Sequence, residues 1–265
     1  MNATPIITLL TDFGTRDGYG AAMKGVILDL VPHVTIVDAG HEIPPHDVAA
    51  AAWALAQYAF FFPKGTIHVA VVDPGVGSNR QGLIAQAGGH IFIAPDNGTL
   101  HWVSKSAAGF DAQVIRPNIH RPSGRSHTFD GRDVFANVAG RLASGYESIA
   151  QLSDPATELV VPEWGRVRSE GGAIVGEIID IDHFGNAITS IHRHHVEQAG
   201  WRRALIQVGK TKLTHVNTTY SDVPASTPLA LIGSHDHLEI AVCLGSAAKV
   251  LGLRRGDSVK VSEHA

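Results

Sequence analysis

One cysteine, Cys243, occurs in 265 residues, so no internal disulfide framework holds this chain. A reducing, cytoplasmic setting is the expectation. Long apolar runs are missing as well. No stretch reaches the ~18 residues needed to span a bilayer, so a membrane is not an expected partner. Charge of one sign is not in excess. Twenty-one Lys and Arg stand against 25 Asp and Glu, a net of −4, which argues against a general binder of nucleic acid or of anionic lipid. The opening residues, MNATPIITLL, lack the basic start of a secretory signal and read as a strand.

What is present is a chain long enough for two domains and a sizeable core without metal or disulfide staples. Hydrophobic residues make up 44%, which argues against disorder. The 28 glycines imply many tight turns. The 16 histidines are open to three readings: metal, proton transfer or neither.

The first 155 residues alternate strand and helix signals. Ile6–Leu10, Val34–Val37, Thr66–Val72, Leu83–Ala85 and His90–Ala94 read as strands. Met23, Val26, Ile27 and Leu30 fall on one helical face at i, i+3, i+4 and i+7. Asp47 is placed to cap a helix through Ala49–Phe61. Asp130-Gly131-Arg132-Asp133 opens another, with Val134, Val138 and Leu142 in register and Gly145 as its stop. This pattern predicts an α/β N-terminal domain with a mostly parallel sheet. Turn-rich residues 156–172 read as a linker. Residues 173–265 carry short β segments: Ala173–Ile181, Ala204–Val208, Lys212–Val216, Leu229–Ile232, Leu238–Val242 and Ser258–Val261. Ser246–Leu253 and His194–Ala199 look helical. That texture predicts a small C-terminal β-barrel or sandwich.

In an open α/β sheet, ligands bind beyond the carboxyl ends of strands, and the unusual polar residues sit there. Asp12 follows the first strand and Asp17 precedes the first helix. Asp73 ends the apolar Thr66–Val72 strand and leads into a glycine-rich loop that closes on Arg80. Asp96-Asn97-Gly98 reads equally as a turn, and Asp17 and Asp130 equally as helix N-caps. In the C-terminal region Asp182-His183-Phe184-Gly185-Asn186 offers a carboxylate, an aromatic face and an amide that can both donate to and accept from an adenine edge. Its bland reading is a β-turn with a buried phenylalanine.

Other motifs fail. Asp12-Phe13-Gly14 lacks the loop, lysine and catalytic segment of a kinase. Gly75-Val76-Gly77 lacks the third glycine of a dinucleotide fingerprint. His192-Arg193-His194-His195 and His235-Asp236-His237 lack tetrahedral-site spacing, so no metal is expected.

Taken together, Thr11-Asp12-Phe13-Gly14 with Asp17, Val72-Asp73-Pro74-Gly75-Val76-Gly77 with Arg80, Thr128-Phe129-x-Gly131-Arg132-Asp133, and Asp182-x-Phe184-Gly185-Asn186 occur in order. The chain resembles the S-adenosyl-L-methionine (SAM) hydrolases, or SAM hydroxide adenosyltransferases, relatives of the bacterial fluorinase and chlorinase. The resemblance spans essentially the whole chain. It implies hydrolysis of SAM to adenosine and methionine by water attack at ribose C5′, with no cofactor and no metal. It also implies a homotrimer with sites at subunit interfaces.

Residue by residue, the resemblance gives Asp12 the ribose hydroxyls and gives Phe184 and Asn186 the adenine. Asp17, Asp182 and Ser234 face the methionine part, and Phe129 lies in the substrate-binding set. Asp73 and Arg80 belong to an Asp–Arg–His set that holds the attacking water. This sequence departs at the third member, where Asp130 stands in place of the histidine; His127 lies three residues earlier. Ser234-His235-Asp236-His237 also departs from the family pattern, and His46 takes a position that is aromatic in the halogenases. Two alternatives follow: a hydrolase of another 5′-substituted adenosine, or a SAM- or adenosine-binding protein with impaired catalysis.

Overall fold

A computed structural model describes residues 4–120, 126–198 and 204–263. The chain divides into two compact units, Met1–Pro162 and Glu163–Ala265.

The first unit holds strands β1 (Ile6–Thr11), β2 (Thr35–Gly40), β3 (Ile67–Val71), β4 (Gly82–Ala87), β5 (His90–Pro95), β6 (Asp111–Ile115) and β7 (Ser153–Pro155). They form one sheet in the order β2-β1-β3-β5-β4-β6-β7. β2, β1, β3 and β5 are parallel neighbours. The pairs β4–β5, β4–β6 and β6–β7 are antiparallel. Most strands therefore run one way, but the sheet is mixed. The reason is local. Gly88 and Gly89, with φ of 58° and 86°, join β4 to β5 in a two-residue hairpin, whereas a parallel connection needs a dozen residues or more.

Helices α1 (Tyr19–Leu30), α2 (Val48–Tyr58), α3 (His101–Ser106), α4 (Asn137–Ala143) and α5 (Ile149–Leu152) complete the unit. Asp47 caps α2 as expected, its Oδ1 accepting from Ala50 N at 3.0 Å. Neither α3 nor β6 was legible; both are short, and no clear period marks them. Two apolar clusters cover the sheet. Ile7, Met23, Ile27, Phe135 and Val138 belong to one; Leu10, Leu55, Leu83, Phe92 and Val103 belong to the other.

β3 is buried along its whole length, and the fully buried His68 lies within it. His68 Nδ1 hydrogen-bonds Thr8 Oγ1 at 2.9 Å, and its Nε2 lies 3.3 Å from His90 Nδ1. Burial first, and the His90 charge second, depress its pKa to about 3. The unfolded chain takes up this proton near pH 6.5 and the folded one does not. The stability held at neutral pH is thus lost as pH falls from 6.5 towards 3, at up to about 1.4 kcal/mol per pH unit. In urea titrations at several pH values, His68→Gln should flatten this acid slope by about one proton. An unchanged slope would assign the acid sensitivity elsewhere.

The second unit contains strands β8 (Arg168–Glu170), β9 (Ala173–Ile181), β10 (Ala187–His192), β11 (Ala204–Val208), β12 (Thr211–Leu213), β13 (Val216–Asn217), β14 (Pro228–Ile232), β15 (His237–Val242) and β16 (Ser258–Glu263). They form a nine-stranded sheet in the order β12-β11-β16-β9-β10-β15-β14-β13, with β8 beside β9. The path curls until β12 meets β14, which makes it nearly closed and barrel-like around Ala187, Ile206, Leu238, Ile240 and Val261. Lys212–Val216, read as one strand, is two, broken at Thr214 and His215. Helices α6 (Arg193–Gln198) and α7 (Ala247–Leu251) match the two helical readings; Ala199 lies outside the described residues. No helix among the described residues is long and apolar enough to cross a membrane.

Candidate active site

The Val72–Arg80 loop turns back at Gly77, whose φ is 80°. A Cβ there would come within 2.6 Å of the His127 carbonyl oxygen, so glycine is required on both counts. The turn returns Arg80 towards Asp73. Arg80 Nε donates to both Asp73 oxygens, at 2.9 and 2.8 Å, and Nη2 also donates to Asp73 Oδ2. The same Nη2 donates to Asp130 Oδ2 at 2.6 Å. The Asp130 residue is 0% exposed; the Asp73 and Arg80 side chains are 5% and 12% exposed. Two carboxylates and one guanidinium are thus buried together, with a formal charge of −1.

Asp130 stands at the start of a π-helical turn, Gly131–Ala136, that leads into α4. Its side chain makes no capping hydrogen bond, which overturns the cap reading; the carboxylate bonds Arg80. π turns concentrate at functional sites. Phe135, inside this turn, lies under the Arg80 guanidinium at 5.2 Å.

Asp73 and Asp130 line a cavity of about 290 Å³ together with Asp12, Phe129, Tyr19 and His46. Asp12 Oδ2 accepts from His46 N at 2.9 Å. His46 has φ of 67°, an uncommon and strained conformation for a non-glycine residue. Phe13, Tyr19 and Phe129 form a ring cluster, with centroids 5.2 to 5.8 Å apart in every pair. Arg80 approaches from behind; it lines a different cavity with Val114 and Ile115.

Four of the expected residues, Asp12, Asp73, Phe129 and Asp130, therefore converge on one cavity. Asp17 does not. Gly18, not Asp17, holds the N-cap position of α1, without a side-chain bond, so the cap reading of Asp17 also fails. Its exposed carboxylate pairs with Arg16 at 3.2 Å. His127 is exposed and is not among the residues lining the cavity. Asp96-Asn97-Gly98 is a structural turn: Asn97 donates to Val72 O at 2.9 Å and accepts from Thr99 Oγ1 at 2.7 Å.

In the second unit, Asp182–Asn186 forms the turn between β9 and β10. Asp182 accepts from Asn186 N at 2.8 Å and from Asn186 Nδ2 at 3.0 Å. Phe184 is 74% exposed, so the reading with a buried phenylalanine is wrong, and an aromatic face stands open to solvent. Ser234 is exposed in the β14–β15 turn. His192 and His194 approach each other through Nδ1 at 2.8 Å. No group of three or more His, Cys, Asp or Glu among the described residues is arranged to hold a metal ion.

Sequence reasoning missed Tyr19 as a cavity residue and Glu239 as a buried carboxylate. Glu239 did carry a signal, since it interrupts the apolar strand Leu238–Val242. Tyr19 carried none, because an aromatic residue at a helix start is ordinary.

Comparison with known proteins bears on the whole chain. Residues 7–153 match the SAM hydroxide adenosyltransferase N-terminal domain and residues 176–260 match the C-terminal domain. An (R)-S-adenosyl-L-methionine hydrolase of Salinispora arenicola is 37% identical, covering 99% of each chain. A fluorinase of Actinoplanes sp. is 29% identical, again covering 99% of each. The crystal structure of an uncharacterised conserved protein from Thermotoga maritima superposes with a TM-score of 0.85 at 30% identity, covering 97% of this chain and 100% of that one. With both domain models matched in order, the chain belongs to the SAM hydroxide adenosyltransferase family.

Proposed function

We propose that this protein hydrolyses SAM to adenosine and L-methionine. The carrying observation is the buried Asp73–Arg80–Asp130 triad, with both carboxylates on the wall of the cavity that also holds Asp12. SAM carries a sulfonium, which leaves as a neutral thioether. Displacement at C5′ therefore needs an in-line nucleophile, positioning and electrostatics, and no cofactor. Water oxygen attacks C5′ as the C5′–S bond breaks and its electron pair goes to sulfur. The water gives its proton to the carboxylate pair.

In this reading Arg80 acts from behind, fixing the two carboxylates around the water. Asp12 takes the ribose diol, and Phe129 packs on the nucleoside. Phe184 and Asn186 hold adenine; Asp17, Asp182 and Ser234 face the methionine part. His127 is left out, because its exposed side chain has no place on the cavity wall. Halide capture is disfavoured, since Asp73 and Asp130 bring negative charge to the nucleophile's position.

The reading assigns residues 1–155 to the α/β domain, 156–172 to a linker and 173–265 to a β-barrel domain of a cytoplasmic homotrimer. Each trimer site joins the first domain of one subunit to the second domain of its neighbour. Light scattering should then give about three times the 28.1 kDa chain mass. A monomer that is fully active at assay concentration contradicts this arrangement.

The function is tested by incubating the protein with SAM in ¹⁸O-labelled water and resolving the products. Adenosine and methionine should appear in equal amounts, with the label in the adenosine 5′-hydroxyl. No adenosine above the protein-free control would sink the hydrolase reading. The altered Ser234-His235-Asp236-His237 turn favours one second reading, another 5′-substituted adenosine as substrate. That reading gains if such a compound turns over and SAM does not.

A further inference from the structure

Glu239 is a buried carboxylate that the proposed chemistry leaves unused. Strand register places it. Glu239 of β15 pairs with Ile188 of β10 on one side and Leu231 of β14 on the other. Ile188 in turn pairs with Asp180 of β9. Side chains alternate along strands, so Asp180, Ile188 and Glu239 share one sheet face. Two residues further along the same hairpin, Asp182 and Asn186 close the next rung on that face. The opposite face carries Ala187, Leu238 and Ile240 into the barrel core. Glu239 thus points away from that core, on the face of the Asp182–Asn186 turn, and is nevertheless only 7% exposed.

Two contacts hold it there. Glu239 Oε1 accepts from the Tyr220 hydroxyl at 2.6 Å. Oε2 is packed against Gly233, where a Cβ would come within 2.6 Å of it. Gly233 directly precedes Ser234. The hydrogen-bond donor is a neutral phenol, so this bond brings no positive charge to offset the buried carboxylate. Burial raises the Glu239 pKa, the Tyr220 bond opposes that, and the charge of Asp182 raises it again. Asp182 and Glu239, on one face of the sheet, are like charges that repel each other. A cation arriving between them relieves that repulsion, and SAM bears an ammonium on its amino-acid end.

We propose that Glu239 is a specificity-determining positioning residue for the cationic amino-acid end of the substrate. It adds negative charge to the face that carries Asp182, and Tyr220 and Gly233 keep its carboxylate fixed. The inference rests on the SAM reading and extends it. Adenosine lacks the amino-acid end and serves as the internal control. Glu239→Gln keeps the shape and an acceptor for Tyr220 while removing the charge. In steady-state assays the KM for SAM should rise about 10- to 100-fold, the range for a lost interaction with a charged group. The inhibition constant of adenosine and kcat should stay near their wild-type values. Tyr220→Phe should shift the KM in the same direction by less.

An unchanged KM for SAM overturns the proposal. So does a parallel loss for SAM and adenosine, which marks simple damage to the turn. A wild type that releases no adenosine sinks the hydrolase reading instead. Calorimetric titration with SAM and with adenosine then makes the same comparison through binding alone, and equal losses for both ligands overturn the Glu239 role.

Discussion

Arg80→Ala should cost about 3–5 kcal/mol of stability, the range for breaking a buried ion pair by removing one partner, and should abolish turnover. The Arg80 side chain bonds Asp73 and Asp130, both almost fully buried. Without the guanidinium, the formal charge of the three groups goes from −1 to −2, and two nearly buried carboxylates face each other. Loss of packing on Phe135 adds to the cost, since the guanidinium lies 5.2 Å from the ring centre. Arg80→Lys should recover only part of this. Its compact ammonium cannot reproduce the planar fork that spans both acids. Denaturant unfolding of the three proteins, alongside adenosine release, checks the prediction. A loss below about 1 kcal/mol for Arg80→Ala, as for an exposed pair, would show that the cluster is not electrostatically closed.

Much of the scaffold was legible because its signals are local. The apolar run of β3, the helical spacing of Met23 and Ile27, and the Asp47 cap each lie within a few residues of the feature they specify. The hairpin at Gly88-Gly89 is equally local but went unread, and it is what limits the run of parallel neighbours to β2, β1, β3 and β5. One failure of reading by neighbours involves a partner distant in sequence. The cap reading of Asp130 came from its place at the start of a helical segment, yet its carboxylate bonds a guanidinium 50 residues away, the partner that the family resemblance implied. The cap reading of Asp17 had the same origin, and one residue of difference at the helix start leaves it paired with Arg16. The bland reading of Phe184 tucked its ring into the turn, but the fold leaves the ring open, as an aromatic face for stacking requires. Sequence order offers candidate residues, and only the fold shows that Asp12, Asp73, Phe129 and Asp130 share a wall.

Asp130→Asn should lower turnover by roughly 10²-fold or more, the low end for a lost acid–base group, with little loss of stability. The two halves of this expectation have one origin. Asn keeps the size of the side chain and an oxygen for the Arg80 bond but carries no charge. The cluster then holds one carboxylate and one guanidinium, formally neutral, where the wild type holds −1. Arg80 keeps its bonds to Asp73, so no buried charge is left without its partner and the cost in stability is small. The same change leaves Asp73 alone to take the proton from water, and Asp73 already receives Arg80 through both Nε and Nη2. His127→Ala is the matched control: that side chain is exposed, and its removal should leave turnover near wild type. Measuring kcat and melting temperature for both variants separates chemistry from structure. An Asp130→Asn protein with full activity, or a His127→Ala protein that loses it, would overturn the carboxylate-pair reading, because the acid at position 130 would then be structural and the proton would leave by another route.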